Sequence, residues 1–189
     1  MSLTFVTFPE VIESDRLLLR APHESQAKDV HTDMVENFEA LSEFLDWTAP
    51  ISMEGLVQNL RVGREEFEKG KSARYQVFRR DNGCFVGRIG YFAVDPQVPS
   101  FEIGYWCIPR EQRNGFVGEA VSSLVQYAAG KLSAERIVIR CDEKNTAARR
   151  IPERLGFPLE GILRNSERSA AGKLRNMCVY AHLPQEQRK

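Results

Sequence analysis

Residues 101–120, FEIGYWCIPREQRNGFVGEA, constrain the fold of this chain more than any other stretch. An apolar run at residues 103–108 has the character of a buried strand, and a polar turn that contains Gly115 follows it within a few residues. A helical pattern then begins at Phe116. Gly115 and Gly118 have no Cβ, so the backbone can bend sharply and approach a ligand closely, and the first amides of a helix have no internal partners. The stretch therefore predicts a strand that leads into a helix N-terminus able to bind phosphate.

The other elements are predicted from periodicity and turn residues. Over residues 24–45, apolar side chains recur every three or four positions, which indicates two short helices with a break near Asn37. Ser52 is suited to cap the next helix. Asn82 and Gly83 separate two β-rich runs and supply the positive φ angles of a tight hairpin. Strands are predicted at residues 16–20, 74–80, 84–94, 103–108, 135–141, 157–163 and 174–183, and further helices at residues 52–70, 116–130 and 146–155.

The order of these elements is typical of a mixed α+β class built around one sheet. A chain of 189 residues fits a single domain over residues 1–189. Its 26 basic side chains balance 26 acidic ones, so no overall charge favours nucleic acid or an anionic membrane. No apolar run approaches the roughly 20 residues of a membrane span, and the N-terminus lacks the features of a signal peptide. We expect a cytoplasmic protein that is a monomer or a homodimer.

The four cysteines are far apart, and each lies in a predicted strand: Cys84, Cys107, Cys141 and Cys178. No C-x-x-C pair occurs, and no histidine stands at metal-ligand spacing from them. The pattern favours small buried side chains over a zinc site or a disulfide framework. We therefore expect no bound metal.

Three stretches, in the expected order, resemble the GNAT acetyltransferases. Residues 112–117, QRNGFV, resemble that family's acetyl-CoA pyrophosphate loop, Q/R-x-x-G-x-G/A, and the IGYW run before them is similar to its central strand. Residues 15–20, DRLLLR, and residues 145–157, NTAARRIPERLGF, resemble two further stretches of the family. Together they resemble the RimJ/RimL-like branch, whose best known members acetylate the N-termini of ribosomal proteins. The resemblance implies the acyl-CoA N-acyltransferase fold, a single mixed, mostly antiparallel central sheet flanked by helices.

The resemblance also implies a site for acetyl-CoA. The pantetheine arm would lie beside the central strand, which separates from the next strand and leaves backbone amides free, and the turn before the helix would bind the pyrophosphate. Asn145 stands at the family's cofactor-contacting asparagine, although a plain helix cap explains this residue equally well. The cofactor-binding residues implied are Trp106, Cys107, Ile108, Arg113, Asn114, Gly115, Phe116, Val117, Gly118, Asn145 and Ala148.

Glu102, just before the IGYW run, is the candidate general base. Carboxylates at this strand position serve as the base in several members of the family. An α-amine titrates at about 7.7–8.0 and a lysine amine at about 10.4, so freeing the lysine nitrogen at neutral pH costs roughly 3–4 kcal/mol more. An α-amine therefore needs only a modest base. The alternative interpretation of Glu102 is a solvated residue at the start of a strand.

Two positions depart from the family pattern. Pro152 stands where many members have a tyrosine that protonates the leaving thiolate, and Ala148 stands where a serine is frequent. The thiolate would then leave unassisted or take a proton from Tyr105, Ser166 or water. Pro152 also falls inside a predicted helix, where it removes an amide donor and crowds the carbonyl of Ala148. We keep the helix and expect it to be kinked or to begin later.

The acceptor pocket is expected between the N-terminal helices and the final hairpin. Phe44 and Trp47 lie in a predicted loop and are candidates for its lining, while a core position explains Trp47 equally well. Three functions fit: acetylation of the α-amine of a protein or peptide in a ternary complex, acetylation of a small amine such as a polyamine, an aminoglycoside or an amino-acid-like antibiotic, and CoA binding without turnover. We expect no direct contact with nucleic acid or membrane.

Overall fold

The computed structural model describes residues 6–95 and 97–184, and within these residues one sheet of eight strands is flanked by α-helices. The strands are β1 (Val11–Glu13), β2 (Leu17–Arg20), β3 (Ala73–Arg79), β4 (Phe85–Asp95), β5 (Ser100–Cys107), β6 (Arg136–Asp142), β7 (Leu159–Arg168) and β8 (Leu174–His182). The helices are α1 (Ala27–Glu36), α2 (Phe38–Ser42), α3 (Met53–Glu68), α4 (Phe116–Lys131) and α5 (Thr146–Arg154). The strand order is β1-β2-β3-β4-β5-β6-β8-β7, and every neighbouring pair is antiparallel except β5 and β6. The mixed, mostly antiparallel sheet expected from the sequence is confirmed.

Helices cover both faces of this sheet. On one face, α1 and α3 bury an apolar stripe: Ala27, Val30, Met34, Leu56 and Leu60. On the other face, α4 and α5 pack on a larger core: Phe116, Ala120, Val121, Leu124, Ala148 and Ile151. Side chains alternate along a strand, so Glu102 and Trp106 of β5 lie on the α1–α3 face, whereas Ile103, Tyr105 and Cys107 lie on the α4–α5 face. Among the described helices, none has the length and apolar character needed to cross a bilayer.

The N-terminal helices have the predicted breaks and caps. α1 ends at Glu36 and α2 begins at Phe38, and between them the Asn37 side-chain amide donates to the carbonyl of Asp33 at 2.8 Å. The Ser52 hydroxyl accepts from the amide of Gly55 at 3.0 Å and caps α3. Both predictions are confirmed.

The β3–β4 turn corrects one prediction. Gly83 has a φ of 73°, but Asn82 does not adopt a positive φ. The Asn82 side-chain oxygen instead accepts from the amide of Cys84 at 2.9 Å, and the turn closes with a bond from the Gly83 amide to the carbonyl of Arg79 at 3.0 Å. The turn is therefore longer than a two-residue Asn-Gly hairpin. Cys84 also precedes β4 instead of lying in a strand, while the three other cysteines are buried and free.

The helix that contains Pro152 is retained. α5 is helical from Thr146 to Arg154 with Pro152 inside it, and Gly156 follows with a φ of 75°. A left-handed glycine just after the last turn is the common end of a helix.

The parallel pair β5–β6 opens part-way along its length. Backbone pairing joins Ser100 to Arg136, Phe101 to Ile137 and Glu102 to Val138 and then stops. Both strands continue beyond that point, β5 to Cys107 and β6 to Asp142. We call this open region, residues 103–107 of β5 and 139–142 of β6, the fork. It places unpaired strand edges in the middle of the sheet.

Candidate active site

The N-terminus of α4 is built without a side-chain cap. Its N-cap is Gly115, which has a φ of 80° and no side chain to accept a bond, whereas Ser52 and Asn145 cap α3 and α5. Among the described residues, the amides of Phe116, Val117 and Gly118 have no hydrogen-bond acceptor. Free amides at the positive end of a helix dipole form an anion-binding site.

The turn before α4 adds a second device for binding anions. Arg113 has a φ of 64°, which is left-handed, and Gly115 follows two residues later in the same region of backbone conformation. Turns of this kind direct successive amides toward one point. The side chain of Arg113 is exposed and has no ion pair in the part of the chain that the structure describes. Its guanidinium is therefore free to meet a phosphate.

Arg16 of the N-terminal segment holds this turn in place. Its Nη1 donates to the carbonyl of Asn114 at 3.0 Å, its Nε donates to Glu119 at 2.6 Å, and its guanidinium lies 4.7 Å from the ring centroid of Phe116. Glu119 also accepts from the Ser14 hydroxyl at 2.6 Å. Partial burial acts to raise the pKa of Glu119, but the bonds from Ser14 and Arg16 outweigh it and hold that pKa below its ordinary value. The sequence did not predict this pair, because 103 residues separate its members.

Backbone direction decides which residues of β5 face the fork. The amide of Ile108 bonds the carbonyl of Val86 at 3.0 Å, on the side of β4. Successive amides of a strand point to opposite edges, so the amide of Trp106 also points to β4, while those of Tyr105 and Cys107 point into the fork. Of the three residues predicted to contact the cofactor beside this strand, Cys107 alone therefore directs its amide there, and its carbonyl already accepts from Nε2 of Gln112 at 3.2 Å. Trp106 and Ile108 direct their backbone amides toward β4 instead.

Cys107 presents its backbone and not its thiol. Burial raises the pKa of Cys107 to about 12, and its Sγ donates to the carbonyl of Ile108 at 3.4 Å. The thiol is thus protonated at neutral pH and is a poor nucleophile.

Glu102 lies where the fork opens, and two further charges accompany it. Its side chain is 31% exposed, and one carboxylate oxygen lies 4.0 Å from Nη1 of Arg140 on β6. Arg140 also donates through Nη2 to Glu167 on β7 at 2.6 Å. Burial raises the pKa of Glu102, Arg140 opposes that change, and Glu167 adds to it. Two carboxylates therefore share one arginine beside the fork, and only Glu102 of these three residues is predicted from the sequence.

Asn145 and Ala148 are joined to each other at the start of α5. The Asn145 side-chain oxygen accepts from the amide of Ala148 at 3.0 Å. In the described residues the side-chain NH₂ of Asn145 has no partner, so one side chain can cap the helix and still donate to a ligand. The carbonyl of Ala148 accepts from the Tyr105 hydroxyl at 2.9 Å. The amide and the carbonyl of Ala148 thus each have one partner within the protein.

A loop after α2 forms a wall on the Glu102 face. Arg175 of β8, whose side chain is 10% exposed, donates to the carbonyl of Phe44 at 3.0 Å and to the carboxylate of Asp46 at 2.7 Å. Trp47 packs edge-on against Trp106 of β5, with ring centroids 5.4 Å apart. The first half of the loop is therefore held by β8 and by β5, beside the fork. Trp47 is at once a packed side chain and part of this wall.

A family model for the acetyltransferase (GNAT) domain matches residues 16–158. The chain belongs to the GNAT acetyltransferase family. The matched region contains Arg16, the turn at Gly115, the fork and α5. The resemblance inferred from the sequence is thereby confirmed.

Relatives and solved structures agree on the branch. The uncharacterized N-acetyltransferase YoaA of Bacillus subtilis (strain 168) is 30% identical over 161 residues, covering 83% of this chain and 87% of the relative. The ribosomal-protein-serine acetyltransferase of Escherichia coli (strain K12) is 26% identical over 155 residues, covering 82% and 86%. The structure of RimL, the ribosomal L7/L12 alpha-N-protein acetyltransferase, in complex with coenzyme A superposes with a TM-score of 0.86 at 26% identity, covering 92% of this chain and 98% of that one. This acetyltransferase is therefore of the RimJ/RimL-like branch.

Proposed function

We propose that this acetyltransferase transfers the acetyl group of acetyl-CoA to the N-terminal α-amine of a protein or peptide, with both substrates bound at once. The observation that carries the proposal is the fork next to the uncapped end of α4. An unpaired strand edge accepts an extended chain, and free helix amides accept a diphosphate. The RimL structure that superposes on this chain is a complex with coenzyme A, which supports the choice of cofactor.

The residues present fit the cofactor on both counts. In our proposal the amides of residues 116–118 and the Arg113 guanidinium bind the diphosphate, and Gly115 allows the turn that brings them together. The amides of Tyr105 and Cys107 bind the pantetheine arm along the fork, and the side-chain NH₂ of Asn145 donates from the other side. When bound, acetyl-CoA supplies an acyl group activated as a thioester.

Glu102 is proposed as the base that receives the proton of the attacking amine, directly or through a water. Its pKa is raised by burial, which makes the carboxylate a stronger base than an ordinary glutamate. An α-amine releases its proton roughly 3–4 kcal/mol more easily than a lysine at neutral pH. A relative named for acetylating ribosomal-protein serine supports the same acceptor class.

Mass spectrometry after incubation with acetyl-CoA tests the acceptor. We expect acetylation of a lysine-free peptide with a free N-terminus and little reaction of an N-terminally blocked peptide that contains lysine. Acetylation of a polyamine or an aminoglycoside faster than that of the peptide would show that the acceptor is a small amine instead. Calorimetric binding of CoA with no acetylated product from any acceptor would make the protein a CoA-binding module.

We further propose a single cytoplasmic domain over residues 1–189, monomeric or homodimeric. Light scattering during gel filtration measures its mass against the 21.6 kDa of one chain. Fractionation of cells that produce the protein tests its location.

A further inference from the structure

Pro152 leaves one carbonyl of α5 without its helical partner. In an α-helix the amide of residue 152 bonds the carbonyl of residue 148, and proline has no amide hydrogen. The carbonyl of Ala148 nevertheless has a partner, because the Tyr105 hydroxyl donates to it at 2.9 Å. A side chain of the central strand therefore replaces a backbone bond that the sequence of α5 cannot make.

Tyr105 makes this bond across the fork. It lies three residues beyond Glu102, where β5 and β6 are no longer paired, and its side chain is on the α4–α5 face. It also lines, with Phe116 and Val117 of α4, a cavity of about 10 Å³ beside the first turn of that helix. Tyr105 thus spans from the N-terminus of α4 to the N-terminal half of α5. Burial raises its pKa, so the hydroxyl keeps the proton that it donates.

We propose that Tyr105 is a positioning residue for the cofactor, because its bond to the carbonyl freed by Pro152 fixes the separation of β5 and α5 where the pantetheine arm lies. The inference rests on the proposed function, since it assumes that the arm occupies the fork. With β5 and β6 unpaired there, the tyrosine supplies a link between the two sides that the sheet does not. The proline and the tyrosine then act as one unit. Neither residue is expected to affect binding of the acceptor amine.

A double-mutant cycle on Tyr105→Phe and Pro152→Ala tests this unit. Tyr105→Phe removes the donor, and Pro152→Ala restores an amide that competes for the same carbonyl. We expect each single variant to bind CoA about three- to tenfold more weakly, as for the loss of one hydrogen bond. We expect the double variant to bind CoA no more weakly than the single variant with the lower CoA affinity, because both changes remove the same link.

Steady-state kinetics separates positioning from loss of folded enzyme. In Tyr105→Phe the KM for acetyl-CoA should rise by a similar factor, with kcat and the KM for the acceptor unchanged. A purely structural effect would lower kcat through a smaller folded fraction. The matched control is Tyr75→Phe on β3, which removes a hydroxyl that donates to the carbonyl of Pro9 at 3.0 Å, two strands away from β5. That variant should lower the melting temperature without changing CoA affinity.

Two results would overturn the inference. One is a Tyr105→Phe variant that binds CoA as tightly as the unmodified protein, and the other is additive losses in the double variant. If the unmodified protein itself fails to bind CoA, the proposed function fails instead. Melting temperatures of the unmodified protein and of every variant establish that each is folded when its affinity is measured.

Discussion

The two sides of the fork differ in the part of the chain that would recognise the ligand. At the end of α4, the proposed recognising groups are main-chain amides, and side chains such as Arg16 and Glu119 hold the turn. Beside Glu102, the proposed recognising groups are charged side chains that already share an ion-pair network. A main-chain site depends on backbone conformation and tolerates many side chains. A side-chain site depends on identity at each position.

The two sides also differ in whether a substitution changes mainly stability or mainly catalysis. At the turn, the left-handed conformations of Arg113 and Gly115 are local requirements, and a left-handed conformation costs an ordinary residue about 1–2 kcal/mol. At the Glu102 side, each half-exposed ion pair contributes at most about 1 kcal/mol to stability. Burial is the main cause that raises the pKa of Glu102, and the same pairs change that pKa further. Mutations there should therefore change catalysis more than folding.

The largest effect is expected from Glu102→Gln, which removes the proposed base and keeps the size of the side chain. General-base catalysis typically contributes at least about 100-fold, so kcat should fall by about that factor while CoA affinity is unchanged. Steady-state kinetics and calorimetry measure the two quantities. The matched control is Glu160→Gln on β7, an exposed glutamate paired with Arg136, which should retain full activity. An unchanged kcat in Glu102→Gln would exclude this carboxylate from the mechanism.

A smaller effect, on binding alone, is expected from Gly115→Val. Its Cβ would lie 3.4 Å from Nη2 of Arg16, at the end of a flexible side chain, so strain at a φ of 80° decides the outcome and not a clash. We expect about tenfold weaker CoA binding, from the cost of a left-handed valine. Gly172→Val is the control, since Gly172 has a φ of 76° in the β7–β8 turn with no neighbour within 4 Å. Equal losses of CoA affinity in both variants would place the cofactor elsewhere.

The sequence predicted the strand, the turn and the helix around Gly115 because their signals are local. A strand, a polar turn with Gly115 and a helical pattern follow one another within twenty residues, and each step obeys a short-range rule. The left-handed Arg113 was not predicted, because no local rule requires it. The Asn82-Gly83 turn was predicted in the wrong form, because the Asn82 side chain bonds the next strand instead of adopting a positive φ.

The side-chain network was largely beyond prediction for a physical reason. Glu102, Arg140 and Glu167 come together because β6 lies beside β5 and the β8–β7 hairpin follows it in the sheet. That order is a property of the whole chain, and charged residues in strands carry no local mark of their partners. The Tyr105–Ala148 hydrogen bond could be predicted from the sequence only in part. Pro152 indicates that the carbonyl of Ala148 lacks a helical partner. The donor that replaces it depends on the position of β5 relative to α5, which the sequence does not give.

Opposite changes in pH dependence should follow from removing the two neighbours of Glu102. Burial raises the pKa of Glu102 most, Arg140 lowers that pKa, and Glu167 raises it. A base must be deprotonated to act, so the acid limb of kcat/KM should move to lower pH in Glu167→Gln and to higher pH in Arg140→Gln. Profiles from pH 5 to 8 at saturating acetyl-CoA measure the shifts. Arg136→Gln, which breaks an ion pair away from the fork, should leave the acid limb in place. Shifts in the same direction would contradict the shared network.

The smallest expected effect separates the two roles of Asn145, which belongs to both sides of the comparison. Its oxygen caps α5 at 3.0 Å from the Ala148 amide, and its NH₂ is free for the cofactor. Asn145→Ala removes both groups and should cost about 1 kcal/mol of stability together with about threefold in CoA affinity. Asn145→Asp keeps the capping oxygen and removes the donor, so stability should be retained while the affinity loss persists. If Asn145→Asp binds CoA normally, the side chain only caps α5. The pantetheine arm would then be bound by main-chain amides without help from Asn145.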